Sequence, residues 1–470
     1  MKNNRPDEGS KTTHAKSRPR KTKNSNLPGL QPRELALKLF SDVLNAGHSF
    51  DEVRKKAFES KHAGALSSAD KGFARLIAAT VLRLKPVLET IIEKHLERAL
   101  PNRYRKAQMI LLSASAQLLI LKTPAHAAIN LAVEQARRSN TARHMAGLIN
   151  AVLRKVAKSG PEMLAEIDIP KRAIPHWLWL RWVNTYGEPA TRKIAAASLQ
   201  EPSLDLTVRS DRDAWAKRLG ASRLTTGSLR LKGGGRIEEM EGFGEGAWWV
   251  QDCAAALPAR LFGDISGKTV ADLCAAPGGK TAQLAAAGAN VIAVDNDKAR
   301  LQRVKQNLER LNLTANLVTA DVITWNPERQ FDFILLDAPC TATGTIRRHP
   351  DILHLKREED IKALSNLQRK LLKAAFDLLS VKGVLVYCTC SLEPQEGENQ
   401  IHEFLNAAPS AWVHPIVPKE AGIKSDWLSP QGFLRTLPFH DPQQQTDTAL
   451  VQDGGGGMDG FFTARITKLS

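Results

Sequence analysis

The sequence predicts a multidomain chain: an all-α domain in front, a small α+β segment in the middle, and a C-terminal α/β domain on a doubly wound, largely parallel sheet. Three observations predict it. Between about residues 30 and 160, apolar side chains recur at helical spacing. From Thr269 onward, short apolar runs of strand length alternate with helical stretches, as in a parallel sheet with helical crossovers. Two of those runs, Phe331 to Leu336 and Gly383 to Tyr387, each deliver a cysteine just past their ends, Cys340 and Cys390.

Composition bounds what such a chain does. At 470 residues it exceeds one ordinary core, so two to four domains are expected. Its 43% hydrophobic and 24% charged content is that of a soluble globular protein. No apolar run approaches the ~20 residues that span a bilayer, and the basic N-terminus has no apolar segment behind it to make a secretory signal. A net charge of +17 and a pI near 9.7 favour a polyanionic partner, nucleic acid ahead of membrane. Five cysteines without framework spacing fit free thiols in a reducing cytoplasm.

The elements follow in order. Residues 1–28 carry eight Lys or Arg and almost no large apolar side chains, so a disordered tail is expected, either an arm on RNA phosphates or a solvated end. Residues 29–162 read as helices. Pro32 opens the first, Ser67 or Ser68 caps the run Phe73 to Leu82, and Met109 to Leu121 is the most apolar and so the central one. Residues 163–235 form the small segment, opened by the junction Ser159-Gly160-Pro161 and Pro170. It holds a helical stretch from Pro175 to Gly187, a strand at Leu204–Val208 and a helix at Asp211–Leu219, and closes on Gly233-Gly234-Gly235. Trp177, Trp179 and Trp182 share a spacing that suits a core face better than base stacking. Residues 236–470 supply strands at Thr269–Leu273, Val291–Val294, Leu317–Thr319, Phe331–Leu336 and Val384–Tyr387. A late hairpin of Leu434–Leu437 and Phe461–Ile466 completes the sheet, its two halves separated by a Gln/Gly-rich loop at about 440–457.

The chemistry gathers where ligands bind such sheets, in the crevice at the carboxyl ends of the strands. After the first strand comes Cys274-Ala275-Ala276-Pro277-Gly278-Gly279-Lys280, a turn whose glycines admit backbone close to a ligand and whose helix presents free N–H groups. It is neither Gly-x-Gly-x-x-Gly nor a Walker A loop. Asp295 ends the second strand, where an acid accepts from ribose hydroxyls, and Asp321 follows the third, within reach of an adenine amino group. Either could instead be a helix cap; as a set they point to S-adenosylmethionine. Asp337-Ala338-Pro339-Cys340 follows the fourth strand and Thr389-Cys390-Ser391 the fifth. Free cysteines are often merely buried, which suits Cys253, Cys274 and Cys388 better than this pair. A zinc site from Cys340, Cys388 and Cys390 lacks chelate spacing, so no metal is expected. C5 of cytosine needs a thiolate added at C6 before it attacks a methyl donor, and a carboxyl group such as Asp337 eases that addition at N3 and the amine.

These motifs, with Arg347-Arg348-His349-Pro350-Asp351 and Asp459-Gly460-Phe461-Phe462, closely resemble the RNA cytosine-5 methyltransferase family over nearly all of residues 30–470. The helical front is similar to the NusB-type RNA-binding domain. The resemblance implies a NusB-like domain, a small α+β linking domain and a Rossmann-like class I methyltransferase domain. It also implies S-adenosylmethionine as cofactor and 16S ribosomal RNA, free or in an assembling small subunit, as partner of a cytoplasmic monomer. In that family the Thr-Cys-Ser thiol is the nucleophile and the Pro-Cys thiol assists product release, which maps onto Cys390 and Cys340. Related enzymes on DNA use the Pro-Cys thiol, so the order of roles is an open question at this stage. The same chemistry on tRNA, or a non-catalytic RNA-binding factor, are the competing readings.

Overall fold

The computed structural model describes residues 27–60, 64–231, 236–443 and 456–470. The expectations for the basic tail, for Gly233-Gly234-Gly235 and for most of the Gln/Gly-rich loop lie outside the described residues. Among those described, no helix is long and apolar enough to cross a membrane.

The front is all-α, with helices Leu30–Ala46, Phe50–Phe58, Ser68–Glu93, Arg105–Leu119, Ala125–Arg138 and Ala146–Glu166. Ser67 is the cap the sequence offers: its Oγ accepts from the Asp70 N–H at 3.1 Å, satisfying a donor the helix leaves free. Arg105–Leu119 is the central helix, and Ile110, Leu111, Ala114 and Ala116 are buried in one core with Phe40, Val81 and Val152.

One expected break is absent. The helix Ala146–Glu166 runs straight through Ser159-Gly160-Pro161. A Cβ on Gly160 would lie 2.8 Å from Leu119 Cδ2, so this glycine serves close packing of two helices, not a turn. The stretch after Pro175 does break at Gly187, as expected, where the backbone leaves helical geometry. The helix His176–Ser198 kinks there, with Gly187 at φ 76°, and resumes with Pro189 inside it. Trp179 and Trp182 are buried and Trp177 partly so, in a core with Ile194, Ile346 and Leu392, as a core face requires.

The small sheet contains strands β1 (Leu204–Val208), β2 (Ser222–Arg223), β3 (Leu229–Leu231) and β4 (Trp248–Val250), in the order β2-β3-β1-β4. Its last strand comes from beyond Gly235, so the segment completes its sheet with residues from the far side of the expected boundary.

The large sheet has β5 (Thr269–Leu273), β6 (Asn290–Asp295), β7 (Asn316–Thr319), β8 (Phe331–Asp337), β9 (Leu379–Thr389), β10 (Ala411–Val413), β11 (Leu434–Thr436) and β12 (Phe461–Lys468). The strand order is β10-β12-β9-β8-β5-β6-β7, with β11 paired to β12. β5 to β9 are parallel and β12 is antiparallel to β9. The five expected parallel strands are all present, and β11 with β12 is the expected hairpin. β10, short and half exposed, carried no signal. The chain leaves β5 toward β6 on one side and returns to β8 on the other, and this reversal opens the ligand crevice.

The helical front docks on the chain just after Cys340. The Phe50 N–H donates to Asp351 Oδ2 at 3.1 Å, Arg83 Nη2 donates to the Arg347 carbonyl at 2.8 Å, and His354 Nε2 lies 2.7 Å from the Leu82 carbonyl.

Candidate active site

The parallel register of β8 and β9 brings the two thiols together. Asp337 sits opposite Cys388, so Cys340 and Cys390, three and two residues further on, emerge at one level. Their sulfurs are 3.4 Å apart, and both residues are half-buried. The hydrogen bond with Cys390, and then burial, raise the Cys340 thiol well above its ordinary value. Cys340 is therefore held in the thiol form beside the Cys390 sulfur. Cys388 is fully buried and hydrogen-bonded to Asp337 Oδ1 at 3.4 Å; burial, then the Asp337 charge, raise its pKa well above normal. It is the inert thiol of the group, as its place in the strand suggested.

Asp337 ends β8, and Lys280 Nζ donates to its Oδ2 at 2.7 Å. Burial works against the Lys280 charge, but Asp337 outweighs it and the ammonium is held protonated, above the Phe461 ring. Lys280 thus belongs to the same turn as Gly278 and Gly279 while its charge reaches the thiol side of the crevice.

The turn after β5 has Cys274 at φ 60° and Gly278 at φ 97°, both left-handed. At Gly278 a Cβ would also press on Val304 Cγ1 at 2.9 Å, so glycine is required twice over. A Cβ on Gly279 would meet Gln251 only at van der Waals distance. The helix Gly279–Ala286 begins at the expected place. Ala275 and Ala276 are buried, Pro277 is exposed, and the Ala276 N–H donates to Asp295 Oδ2 at 3.1 Å. The other Asp295 oxygen accepts from the Asp297 N–H at 3.1 Å. Asp295 therefore organises the turn, with Arg300 Nη1 3.6 Å from its Oδ1. Asp321 is exposed beyond β7 with one oxygen accepting from the Ile323 N–H at 3.0 Å. Acceptors at two adjacent strand ends, beside an N-terminus of free N–H groups, fit a nucleoside carrying hydroxyls and an amine.

Sequence reasoning missed the scaffold around these groups. Glu396 is fully buried between the two cysteine loops. Asp252 and Asp459 share Arg347 and Arg348 in a buried four-membered ion cluster, with Arg347 Nε 2.7 Å and Arg348 Nε 2.9 Å from Asp459. The motifs held Arg347, Arg348 and Asp459, but their pairing joins segments over a hundred residues apart and has no local signal.

A parallel sheet with this reversal, closed by an antiparallel strand and carrying this turn and these thiols, defines an α/β methyltransferase. Family matches agree: 16S rRNA methyltransferase RsmB/F matches residues 263–466 and the NusB family matches residues 30–158. Ribosomal RNA small subunit methyltransferase B of Cronobacter sakazakii is 36% identical over 456 residues, covering 93% of this chain and 98% of that protein. The crystal structure of PH0851 shares the fold, at 22% identity and TM-score 0.72 over 94% of this chain and 99% of that one. A methyltransferase homolog protein from Pyrococcus horikoshii is 28% identical with TM-score 0.50, over 62% of this chain and 93% of that one. The chain belongs to the ribosomal RNA small subunit methyltransferase B family.

Proposed function

We propose that this methyltransferase transfers a methyl group from S-adenosylmethionine to C5 of a cytosine in 16S ribosomal RNA, with Cys390 adding to C6 of the base. The observation that carries this reading is the pair of sulfurs 3.4 Å apart at the ends of adjacent parallel strands. The named relatives support the RNA class, and the helical front and net charge of +17 suit a polyanion.

Bound at the turn, S-adenosylmethionine supplies an electrophilic methyl group. Asp295 would accept from its ribose hydroxyls, Asp321 from its adenine amine, and Ala275 to Gly279 would line it with backbone. Cys390 as thiolate forms a bond to C6 and pushes electron density onto C5, the carbon that then takes the methyl. Asp337, held by Lys280, would accept from the exocyclic amine of the base and orient its N3 edge for that addition. The C5 proton passes to water, its electron pair restores the C5–C6 double bond, and the C6–S bond breaks so that Cys390 leaves as thiolate, with the Cys340 S–H assisting release by donating to the departing sulfur.

The test separates the thiols. Cys390→Ala should form no covalent RNA complex and be inactive. Cys340→Ala should add to the base and then stall, leaving an RNA–protein adduct that survives denaturing electrophoresis, because blocking the exit from an intermediate accumulates it. An adduct from Cys390→Ala alone would reverse the roles; two active variants without adduct would overturn the covalent route. Bisulfite sequencing of 16S RNA from a strain lacking the protein should show one cytosine losing its modification.

A further inference from the structure

One buried carboxylate touches both cysteine loops. Glu396 Oε1 accepts from the Thr341 N–H at 3.0 Å, and Thr341 follows Cys340 directly. Glu396 Oε2 accepts from the Thr341 hydroxyl and from Ser391 Oγ, the latter at 2.5 Å, and Ser391 follows Cys390 directly. Gln368 Nε2 lies 2.8 Å from the Pro339 carbonyl, just before Cys340, and 3.1 Å from Glu396 Oε1. The glutamate's own backbone is tied to the strand that ends in Cys390. Its carbonyl accepts from Tyr387 OH at 3.0 Å and Thr389 Oγ1 at 3.1 Å. The side chain is thus anchored on one thiol's strand and grips the residues after both thiols.

We propose that Glu396 is the positioning residue that sets the approach of Cys340 to Cys390. It touches neither sulfur. One anion of fixed reach accepts from all four donors, three side chains and one backbone N–H, and no other carboxylate among the described residues bonds to both Thr341 and Ser391. Other bonds join the loops further from the sulfurs, among them Gly344 N–H to the Cys390 carbonyl, Ala338 N–H to the Cys388 carbonyl and Leu392 N–H to Thr343 Oγ1, each at 3.0 Å, but the carboxylate alone grips the residues directly after both thiols. Charge-assisted hydrogen bonds are about twice as strong as neutral ones, so a carboxylate is the group that can hold them. That this spacing serves catalysis rests on the reaction proposed above; the spacing itself does not.

Diamide oxidation of the reduced full-length protein reads the spacing without RNA: the S–S bond forms as diamide takes up the two thiol hydrogens. Peptide mapping identifies the Cys340–Cys390 product. Glu396→Gln keeps the volume and one acceptor oxygen, and should slow this disulfide about ten-fold or more, beyond what its loss of melting temperature accounts for, while leaving cofactor affinity close to wild type. In methylation assays the same variant should lose kcat by about ten- to a hundred-fold with little change in KM. Should Glu396→Gln fail to fold, Ser391→Ala removes a single donor and should show the same pattern, weaker. A wild-type disulfide rate in both variants overturns the proposal. So does a loss of rate that tracks a general loss of stability and cofactor binding. If the wild type methylates no RNA but Glu396→Gln still slows the disulfide, the catalytic reading fails and the positioning role stands.

Discussion

Asp272 closes β5 with no exposure, its Oδ2 accepting from the Thr281 hydroxyl at 2.6 Å while Oδ1 has no partner among the described residues. Burial pushes its carboxyl up to about 7, with Thr281 opposing and Asp337 adding to the rise. The folded state therefore binds this proton more tightly than the unfolded state does. The stability it contributes is present at low pH and is lost as pH climbs from about 4 to about 7. Asp272→Asn removes the titration, so across that window it should gain on the wild type by up to about 4 kcal/mol in urea unfolding. Parallel curves for the two proteins would assign the pH dependence elsewhere. The residue stood inside the strand read as Thr269–Leu273, yet no role was legible for it, because neither its burial nor its proximity to Asp337 has a local signature. Glu396 was invisible for the same reason, whereas Cys340, Cys390 and Asp337 were legible because a strand end announces itself in the apolar run before it.

At the scale of elements, the site depends on a crossing of two glycines. Gly344 follows the Cys340 loop and Gly460 precedes β12; the Gly460 N–H donates to the Gly344 carbonyl at 2.8 Å. A Cβ on Gly344 would fall 2.0 Å from the Gly460 carbonyl oxygen, a backbone atom that cannot step aside alone. Gly344→Ala should therefore cost about 1–3 kcal/mol in denaturant unfolding, as overpacking does. It should also widen the gap between the thiols, slowing the diamide-driven disulfide. An unchanged midpoint would show that the loops tolerate separation. The buried strands of the sheet were read correctly because both faces of a parallel strand are apolar. β2, β3, β4 and β10 were missed because two or three residues make too short a pattern, while β11, as short, was legible as half of the late hairpin. The one helix that outran its expected end did so because a glycine and a proline had been read as a break, whereas Gly160 serves tight packing on Leu119.

Across the whole molecule, the helical front and the methyltransferase sheet meet on residues 347–354, the stretch that continues from the Cys340 loop. Burial raises the pKa of Asp351, the Phe50 N–H opposes that rise, and the Oδ2 that accepts this N–H is the front's polar anchor. Asp351→Ala should leave that buried N–H unsatisfied, costing about 1–3 kcal/mol locally. Hydrogen exchange should then speed up in Phe50–Phe58 and Ile352–Leu355 while β5 to β9 stay protected. Exchange that rises evenly over the sheet would mean that the two parts do not open separately. Because the docking segment leads back to Cys340, RNA held by the front would be presented to the thiols by a fixed surface.

The sequence by itself determined the all-α front, the doubly wound sheet, the glycine turn and the residue types at each strand end. These are properties of short windows, where periodicity, turn chemistry and strand-end position act within a few residues of each other. Only the tertiary structure decided which of those residues meet. The β8–β9 register places two sulfurs at contact distance, Lys280 reaches across to Asp337, and Asp252 and Asp459 close on a shared arginine pair. Such contacts join positions tens to hundreds of residues apart. They are set by how whole elements pack, so no local pattern encodes them.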